Sequence, residues 1–276
     1  FLGVEVFFVI SGYLITLLLM SEREQHGRID LVAFWGRRAR RLLPALFTML
    51  FLVLTYTWIF EWGALGRLRG DFIASIFYVA NWYQIWVGQA YGTAAEFAPL
   101  RHVWSLAVEE QFYLVWPLVV IGSLALARWW ALRRDRRPTA SGTVRTLTAV
   151  VLAIAVASGV AMAVLVDPDS PTRTYFGTDT RALTLCAGAL AACALPVVRR
   201  AGEAGRARIR VAGPVALVAL AALALIASAD EVWFHRGGFQ LAGVLSAVVV
   251  LALAVAGGPL TNALRHPALM WLGRRS

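Results

Sequence analysis

The sequence predicts an all-α, polytopic membrane helix bundle, and three observations predict it. Hydrophobic residues fill 59% of the 276 positions and charged residues only 15%, with a mean hydropathy of +0.68. A soluble domain is nearer half apolar and a quarter charged. Apolar runs of about 20 residues, the length that crosses a hydrocarbon core, recur along the chain. Short arginine-rich segments separate them. This composition excludes a disordered chain, a disulfide scaffold and an ordinary cytosolic enzyme.

Taken in order, the runs are 2–20, 42–60, 103–122, 146–166, 182–198, 211–228 and 239–256. The stretch 72–88 is short and carries Asn81 and Gln84 among aromatics. Arginine counts decide how to read it, because short cytoplasmic loops hold the excess of arginine. Segments 21–41 and 123–145 hold six arginines each and 199–210 holds five. By contrast, 167–181 and 229–238 carry Asp167, Asp169, Asp179, Asp230 and Glu231 against Arg173, Arg181 and Arg236. With the three arginine segments inside, the chain between 42 and 122 starts and ends inside, and 42–60 with 103–122 already supply its two crossings. Segment 72–88 therefore reads as an interfacial or re-entrant piece on the outer side. The expected architecture is seven spans in one membrane domain, 1–276. The chain opens within an apolar run and closes on an arginine pair, and is read as a fragment.

All 26 basic residues are arginine, against 16 acidic ones, for a net charge of +10. Strong arginine-for-lysine bias suggests a GC-rich bacterial genome. A soluble protein this basic would suggest nucleic acid; arginines in short loops between spans point to topology and anionic membrane lipid, with no nucleic acid. Cys186 and Cys193 lie seven residues apart in one apolar run, about 10 Å along a helix. That is too far for a disulfide. No metal-ligand cluster is legible.

Four segments carry chemistry. On a helix, His102, Ser105, Glu109, Tyr113 and Trp116 fall within about 80° of one another. A carboxylate inside a membrane costs about 2.5–3.5 kcal/mol on insertion scales and faces a cavity or a partner. His102 with Glu109 is an acid–base inventory, or His102 is a helix-end residue reaching for water. Glu5 lies two turns from Gly12, and Ser11-Gly12 permits close approach to a helix or to a ligand channel. Arg37, Arg38, Arg40 and Arg41 stand at the inner mouth of a span, as topology signal or as a bidentate phosphate clamp. Asp179 and Arg181 pair locally or line an outer site.

Together these segments resemble acyltransferase family 3, the integral-membrane O-acyltransferases of the O-antigen and peptidoglycan acetylase kind. The matching stretches are FFVISGYLIT (7–16), RRARRLLP (37–44), HVWSLAVEEQFYLVWP (102–117), YFGTDTRA (175–182) and RHPALMWLGR (265–274). They come in the family's order and are spread over essentially the whole length of the chain. YFGTDTRA and FHRGGF (234–239) look like the subgroup that often carries a C-terminal SGNH esterase-like domain.

The resemblance implies a ten-helix core, with one helix before Phe1 and two after Ser276. It implies acetyl-CoA or another acyl-CoA as cytoplasmic donor, no metal, and a glycan acceptor outside a bacterial plasma membrane. Arg37, Arg38 and Arg41 match the RRxxRxxP pattern and are expected to hold the donor's phosphates; Arg40 falls on a variable position. Glu109 matches the motif's acidic position and Glu110 a more variable one. Glu109, Ser105 and His102 are expected around the chemistry. Glu5, Ser11, Gly12, Trp104, Tyr113, Asp179 and Arg181 are expected on the pore or acceptor side. The family's essential Arg and His lie upstream of Phe1, so His102 does not take that role and residues 1–276 alone are expected to be inactive. The competing reading is a transporter or flippase for a lipid-linked glycan, which polar groups in a bundle would also suit.

Overall fold

A computed structural model describes residues 2–88, 97–137, 139–227, 231–255 and 258–275. Asp230 and the last residues of the runs 211–228 and 239–256 lie outside the described residues. Among the described residues, seven helices are long and apolar enough to cross a membrane. They are α1 (Leu2–His26), α2 (Leu31–Phe60), α5 (Val103–Leu132), α6 (Ala140–Leu165), α8 (Thr178–Arg200), α9 (Gly202–Ile226) and a π-turn (Phe234–Gly238) continuing into α10 (Phe239–Ala254). Short helices complete the chain: α3 (Leu65–Ile76), α4 (Ala80–Trp86), α7 (Thr172–Phe176), α11 (Pro259–Leu264) and α12 (Pro267–Arg275).

The seven runs become seven helices, but the arginine-rich segments between them are mostly helical rather than loops. The α1–α2 connection is four residues, closed by Gly27 at φ +70° and by Asp30, whose Oδ1 accepts the Ala33 N–H at 2.9 Å. Between α8 and α9 only Ala201 is non-helical. Arginine, alanine and leucine are strong helix formers. The hydropathy run ends at the hydrocarbon edge, while the helix continues past it.

The bundle is built around α8, which packs on α1, α6 and α10. Its run of Ala187, Gly188, Ala189, Ala191 and Ala192 lets neighbouring backbones come close, the usual route to helix association in lipid. The contact with α1 is reciprocal. A Cβ on Gly12 would stand 1.9 Å from the Leu185 carbonyl oxygen, and one on Gly188 1.9 Å from the Val9 carbonyl oxygen. Cys186 and Cys193 are free, buried thiols on this helix. By contrast α2 and α9 are peripheral and present most of their apolar surface outward.

Segment 72–88 folds as the end of α3, a turn and α4, neither helix long enough to span. Its amides do not face a headgroup region: Asn81 and Gln84 are both fully buried. Asn81 Nδ2 donates to the Phe176 carbonyl (3.0 Å) and Thr178 Oγ1 (2.9 Å), tying α4 to the α7–α8 corner. Gln84 Nε2 donates to the Arg101 carbonyl at 2.9 Å. Tyr78 in the turn has φ +53°, a costly conformation for a bulky residue. Its carbonyl accepts the Gln111 side-chain amide at 2.7 Å, which holds it there. The segment's exposed members are apolar and aromatic, Phe77 and Trp86 most of all.

The α1–α8 contact gives the first prediction. Gly12→Leu should cost about 3 kcal/mol or more, since the backbone opposite cannot yield as a side chain can. Gly36→Ala, with open space around it, should be neutral or stabilise by up to about 1 kcal/mol. Thermal unfolding of the detergent-solubilised protein measures both; equal midpoints would refute the tight-contact account.

Candidate functional site

The centre of the bundle holds a carboxylate clamp. Glu109 sits two turns into α5 and is 7% exposed. Its Oε1 accepts two hydrogen bonds, from Ser11 Oγ on α1 at 2.5 Å and from the Tyr113 hydroxyl one turn along α5. Its Oε2 accepts none from a described residue and is not sealed in. Below it, Trp116 Nε1 donates to Thr16 Oγ1 (2.9 Å), and Thr16 donates back to the Gly12 carbonyl (2.7 Å). These bonds fix α5 against α1. Both bonds fall on one oxygen, which leaves the other to accept a further hydrogen bond.

The positive charge beside this clamp is Arg38. Its guanidinium carbon lies 3.4 Å from the centroid of the Tyr113 ring and 5.7 Å from that of Phe34. Its Nη1 is 3.8 Å from Glu110 Oε1. Trp35 Nε1, on the same turn of α2, donates to the Tyr113 carbonyl at 3.3 Å. A desolvated guanidinium over an aromatic face is stabilised by about 2 kcal/mol. Arg37 and Arg41 share another face of α2. Arg37 Nη2 pairs with Glu22 at 3.2 Å and is exposed; Arg41 is exposed with no ion pair among the described residues. The three arginines therefore do not converge: Arg38 turns into the bundle, while Arg37 and Arg41 stay on its surface.

A second polar centre lies about 9 Å along α1 from Ser11, on the six-residue rise to Glu5. Glu5 and Arg181 are both fully buried, with Arg181 Nη2 2.6 Å from Glu5 Oε1 in a close ion pair. Thr184, one turn after Arg181, donates to Glu5 Oε2 at 2.7 Å. The guanidinium carbon sits 4.3 to 5.9 Å from the ring centroids of Phe239, Tyr175, Trp104 and Phe8. Charge this deep is tolerated because pair, hydroxyl and aromatic faces replace water. Beside it, Thr174 Oγ1 and His235 Nδ1 lie 2.8 Å apart, with His235 on the π-turn.

The structure sorts the residues singled out in the sequence. Glu109, Ser11, Tyr113 and Arg38 meet, with Gly12 serving the helix contact rather than a channel wall. Glu5, Arg181 and Trp104 meet at the other centre. His102 is exposed at the start of α5, and Ser105 Oγ donates to the His102 carbonyl at 3.2 Å, so neither hydrogen-bonds to Glu109. Asp179 does not pair with Arg181; it holds Arg173 through two hydrogen bonds, 2.9 and 2.7 Å.

Sequence reasoning missed Thr184, His235 and the Gln111–Asn81–Thr178 cluster. Its Thr178 Oγ1 donates to Gln111 Oε1 at 2.5 Å, and Gln111 Nε2 donates to Asn81 Oδ1 at 2.9 Å. Thr184, three residues after Arg181 on one face, was the one carrying a periodic signal. Outside the spans, burial pushes the Asp71 carboxyl above the usual carboxylate range, opposed by Arg101. Burial, with the Glu110 charge adding to it, raises the Tyr78 phenol.

The buried pair sets the second prediction. Arg181→Met leaves the Glu5 carboxylate alone in the bundle and should cost about 3–5 kcal/mol. Glu5→Gln combined with Arg181→Met should recover much of that loss, because no charge remains buried. Unfolding midpoints of the two variants check this; a double variant less stable than the single one would contradict it.

The whole chain, residues 1–276, matches the profile of a family described as an acyltransferase domain. It is 34% identical over 288 residues to the peptidoglycan O-acetyltransferase OatA of Listeria monocytogenes, covering 100% of this chain and 43% of that protein. It is 33% identical over 282 residues to the putative peptidoglycan O-acetyltransferase YrhL of Bacillus subtilis, again across the whole chain and 42% of that protein. A putative O-acetyltransferase of Staphylococcus aureus is 33% identical over 280 residues, 44% of its length. The chain thus spans about two fifths of the length of these curated relatives. No solved structure matches it. The seven apolar helices and the bacterial relatives place it in the bacterial plasma membrane. Matched from its first residue to its last, the chain belongs to acyltransferase family 3, the membrane acyltransferases.

Proposed function

We propose that this chain is the membrane-embedded domain of an O-acyltransferase. It moves an acetyl or short acyl group from a cytoplasmic acyl-CoA to a hydroxyl of an extracytoplasmic glycan, peptidoglycan being the acceptor that the relatives' names suggest. The observation that carries the proposal is the clamp at Glu109. A carboxylate in mid-bundle has one oxygen fixed by two hydroxyls and the other unengaged, next to a half-buried arginine. A residue kept only for packing would have both oxygens engaged, as Glu5 has, one in the ion pair with Arg181 and the other by Thr184.

In the transfer, the acceptor oxygen bonds to the thioester carbonyl carbon and the carbon–sulfur bond breaks. The acceptor's proton goes to a base, and coenzyme A leaves as the thiol. Glu109 Oε2 would accept a hydrogen bond from the acceptor hydroxyl, or from the histidine that the family resemblance places upstream of Phe1. Ser11 and Tyr113 hold the carboxylate in the orientation that makes this possible. Arg38, turned inward over Tyr113, would stabilise negative charge near the thioester carbonyl. Arg37 and Arg41, exposed on α2, would meet the donor's phosphates. In the same reading the seven helices are part of a ten-helix core, and α3–α4 lie at the outer interface.

The test uses the full-length protein in proteoliposomes, with radiolabelled acetyl-CoA on the cytoplasmic face and wall glycan as acceptor. Wild type should transfer label to glycan without an ion gradient. Glu109→Gln and Arg38→Ala should each lower transfer by about a hundredfold or more, the scale of a lost acid–base or charge-stabilising group. Tyr113→Phe should lower it by about tenfold, one hydrogen bond to a charged group. Wild-type transfer by Glu109→Gln at normal expression would sink the site assignment. Folded wild-type protein that labels no acceptor would favour the transporter reading.

A further inference from the structure

A large cleft lies remote from both polar centres. It measures about 740 Å³ and lies between the arginine-rich ends of α5 and α6. Four arginines line its rim: Arg134, Arg136, Arg137 and Arg145. None has a carboxylate partner among the described residues, in contrast to Arg37, Arg173, Arg181 and Arg210. Asp135, between them in sequence, does not line the cleft. The N-terminus of α6, capped by Thr139 at 3.1 Å to the Gly142 N–H, adds its positive dipole end. The floor is apolar, formed by Leu126, Trp130, Val150 and Ala153 among others.

We infer that this cleft is a binding site for the phosphodiester headgroup of an anionic phospholipid, whose acyl chains lie along the apolar floor. Guanidinium groups bind phosphate oxygens bidentately, and basic pockets between the cytoplasmic ends of membrane helices suit anionic lipid headgroups. Three features favour a lipid over a free phosphate such as the nucleotide end of the donor. A rim of arginine above an apolar floor matches a molecule that is itself charged at one end and oily at the other. Trp129 and Trp130, packed edge to face at 5.3 Å, mark where α5 leaves the hydrocarbon. Arg133 and Arg134 lie over those rings at 4.0 and 5.2 Å, holding the cations at headgroup depth. Finally, α5 runs 23 residues from Glu109 to its end at Leu132, about 35 Å. That exceeds the reach of the pantetheine arm of a coenzyme A thioester, so a nucleotide in the cleft would not deliver its acyl group to the clamp.

The experiment is native mass spectrometry of the purified full-length protein, titrated with phosphatidylglycerol or phosphatidylcholine in detergent. Phosphatidylglycerol should bind in preference to phosphatidylcholine. The quadruple change of Arg134, Arg136, Arg137 and Arg145 to Ala should reduce its retention by at least about tenfold. Arg206→Ala/Arg208→Ala, which removes charge from the start of α9, should leave retention within about twofold. Ala153→Trp keeps every charge and fills the floor; it too should lower retention, and it keeps the test decisive if the quadruple variant does not fold. Equal loss from the α9 variant would overturn the site in favour of diffuse attraction. Displacement of bound phosphatidylglycerol by millimolar adenosine 3′,5′-bisphosphate, but not by sodium chloride of equal ionic strength, would overturn the lipid assignment. It would make the cleft a site for free phosphates.

Discussion

The contact between α1 and α8 is the constraint on which the rest depends. In lipid there is no hydrophobic drive between helices, so close backbone packing and buried polar bonds must hold the bundle. Gly12 and Gly188 let the two backbones meet at two levels, with no space for a side chain at either. The pairing fixes register, and register decides which polar groups find each other. Glu5 lies two turns before Gly12 and Arg181 two turns before Gly188, on helices running side by side in the same direction. One alignment therefore satisfies both the glycine contacts and the ion pair. Ser11, turned about 100° from Gly12, is left facing α5 and its Glu109.

The two buried carboxylates are treated differently. Glu5 has both oxygens engaged, by Arg181 and by Thr184, and sits at zero exposure. Its pair is closed, and aromatic rings complete the enclosure. Glu109 has one oxygen doubly occupied and the other open, at the junction of α1, α2 and α5. Arg38, over the ring of Tyr113, is committed to that aromatic face and to a loose 3.8 Å pairing with Glu110. Its N–H groups keep more freedom than those of a fully paired arginine would.

Much of the fold was legible in the sequence, because the bilayer imposes a length that apolar runs display directly. All seven runs became helices, and parity of the arginine segments correctly denied a span to 72–88. Helix ends were not legible: arginine marks the hydrocarbon edge but does not stop a helix. The meaning of Asn81 and Gln84 was not legible either, since a buried amide and a headgroup amide look alike in one dimension. At the site, the 3.6-residue period put Glu109 and Tyr113 together. The same period also enrolled His102 and Ser105, which share the face but lie nearer the helix mouth. Pairings across helices, Glu5 with Arg181 and Arg38 with Tyr113, have no sequence period at all. They follow only once α1, α2, α5 and α8 are in register.

The arginines show how one residue type serves several ends at different depths. Arg181 is buried and stoichiometrically paired, so it belongs to folding. Arg38 is half-buried, stacked on the ring whose hydroxyl clamps Glu109, so its charge lies beside that carboxylate's own hydrogen-bond partner. Arg37 and Arg41 face outward from the same helix; Arg37 pairs with Glu22, and Arg41 has no ion pair among the described residues. Arg134, Arg136, Arg137 and Arg145 stand where α5 and α6 leave the hydrocarbon, above an oily floor. A count of positive charge treats all of these as one topological signal. Depth and partner distinguish them, because the cost of leaving a guanidinium unpaired rises steeply from headgroup level to the middle of the bundle. The deepest of them, Arg181, is held by a carboxylate as buried as itself, while the four at the α5–α6 cleft have no carboxylate partner among the described residues and are left to whatever anion the membrane surface supplies.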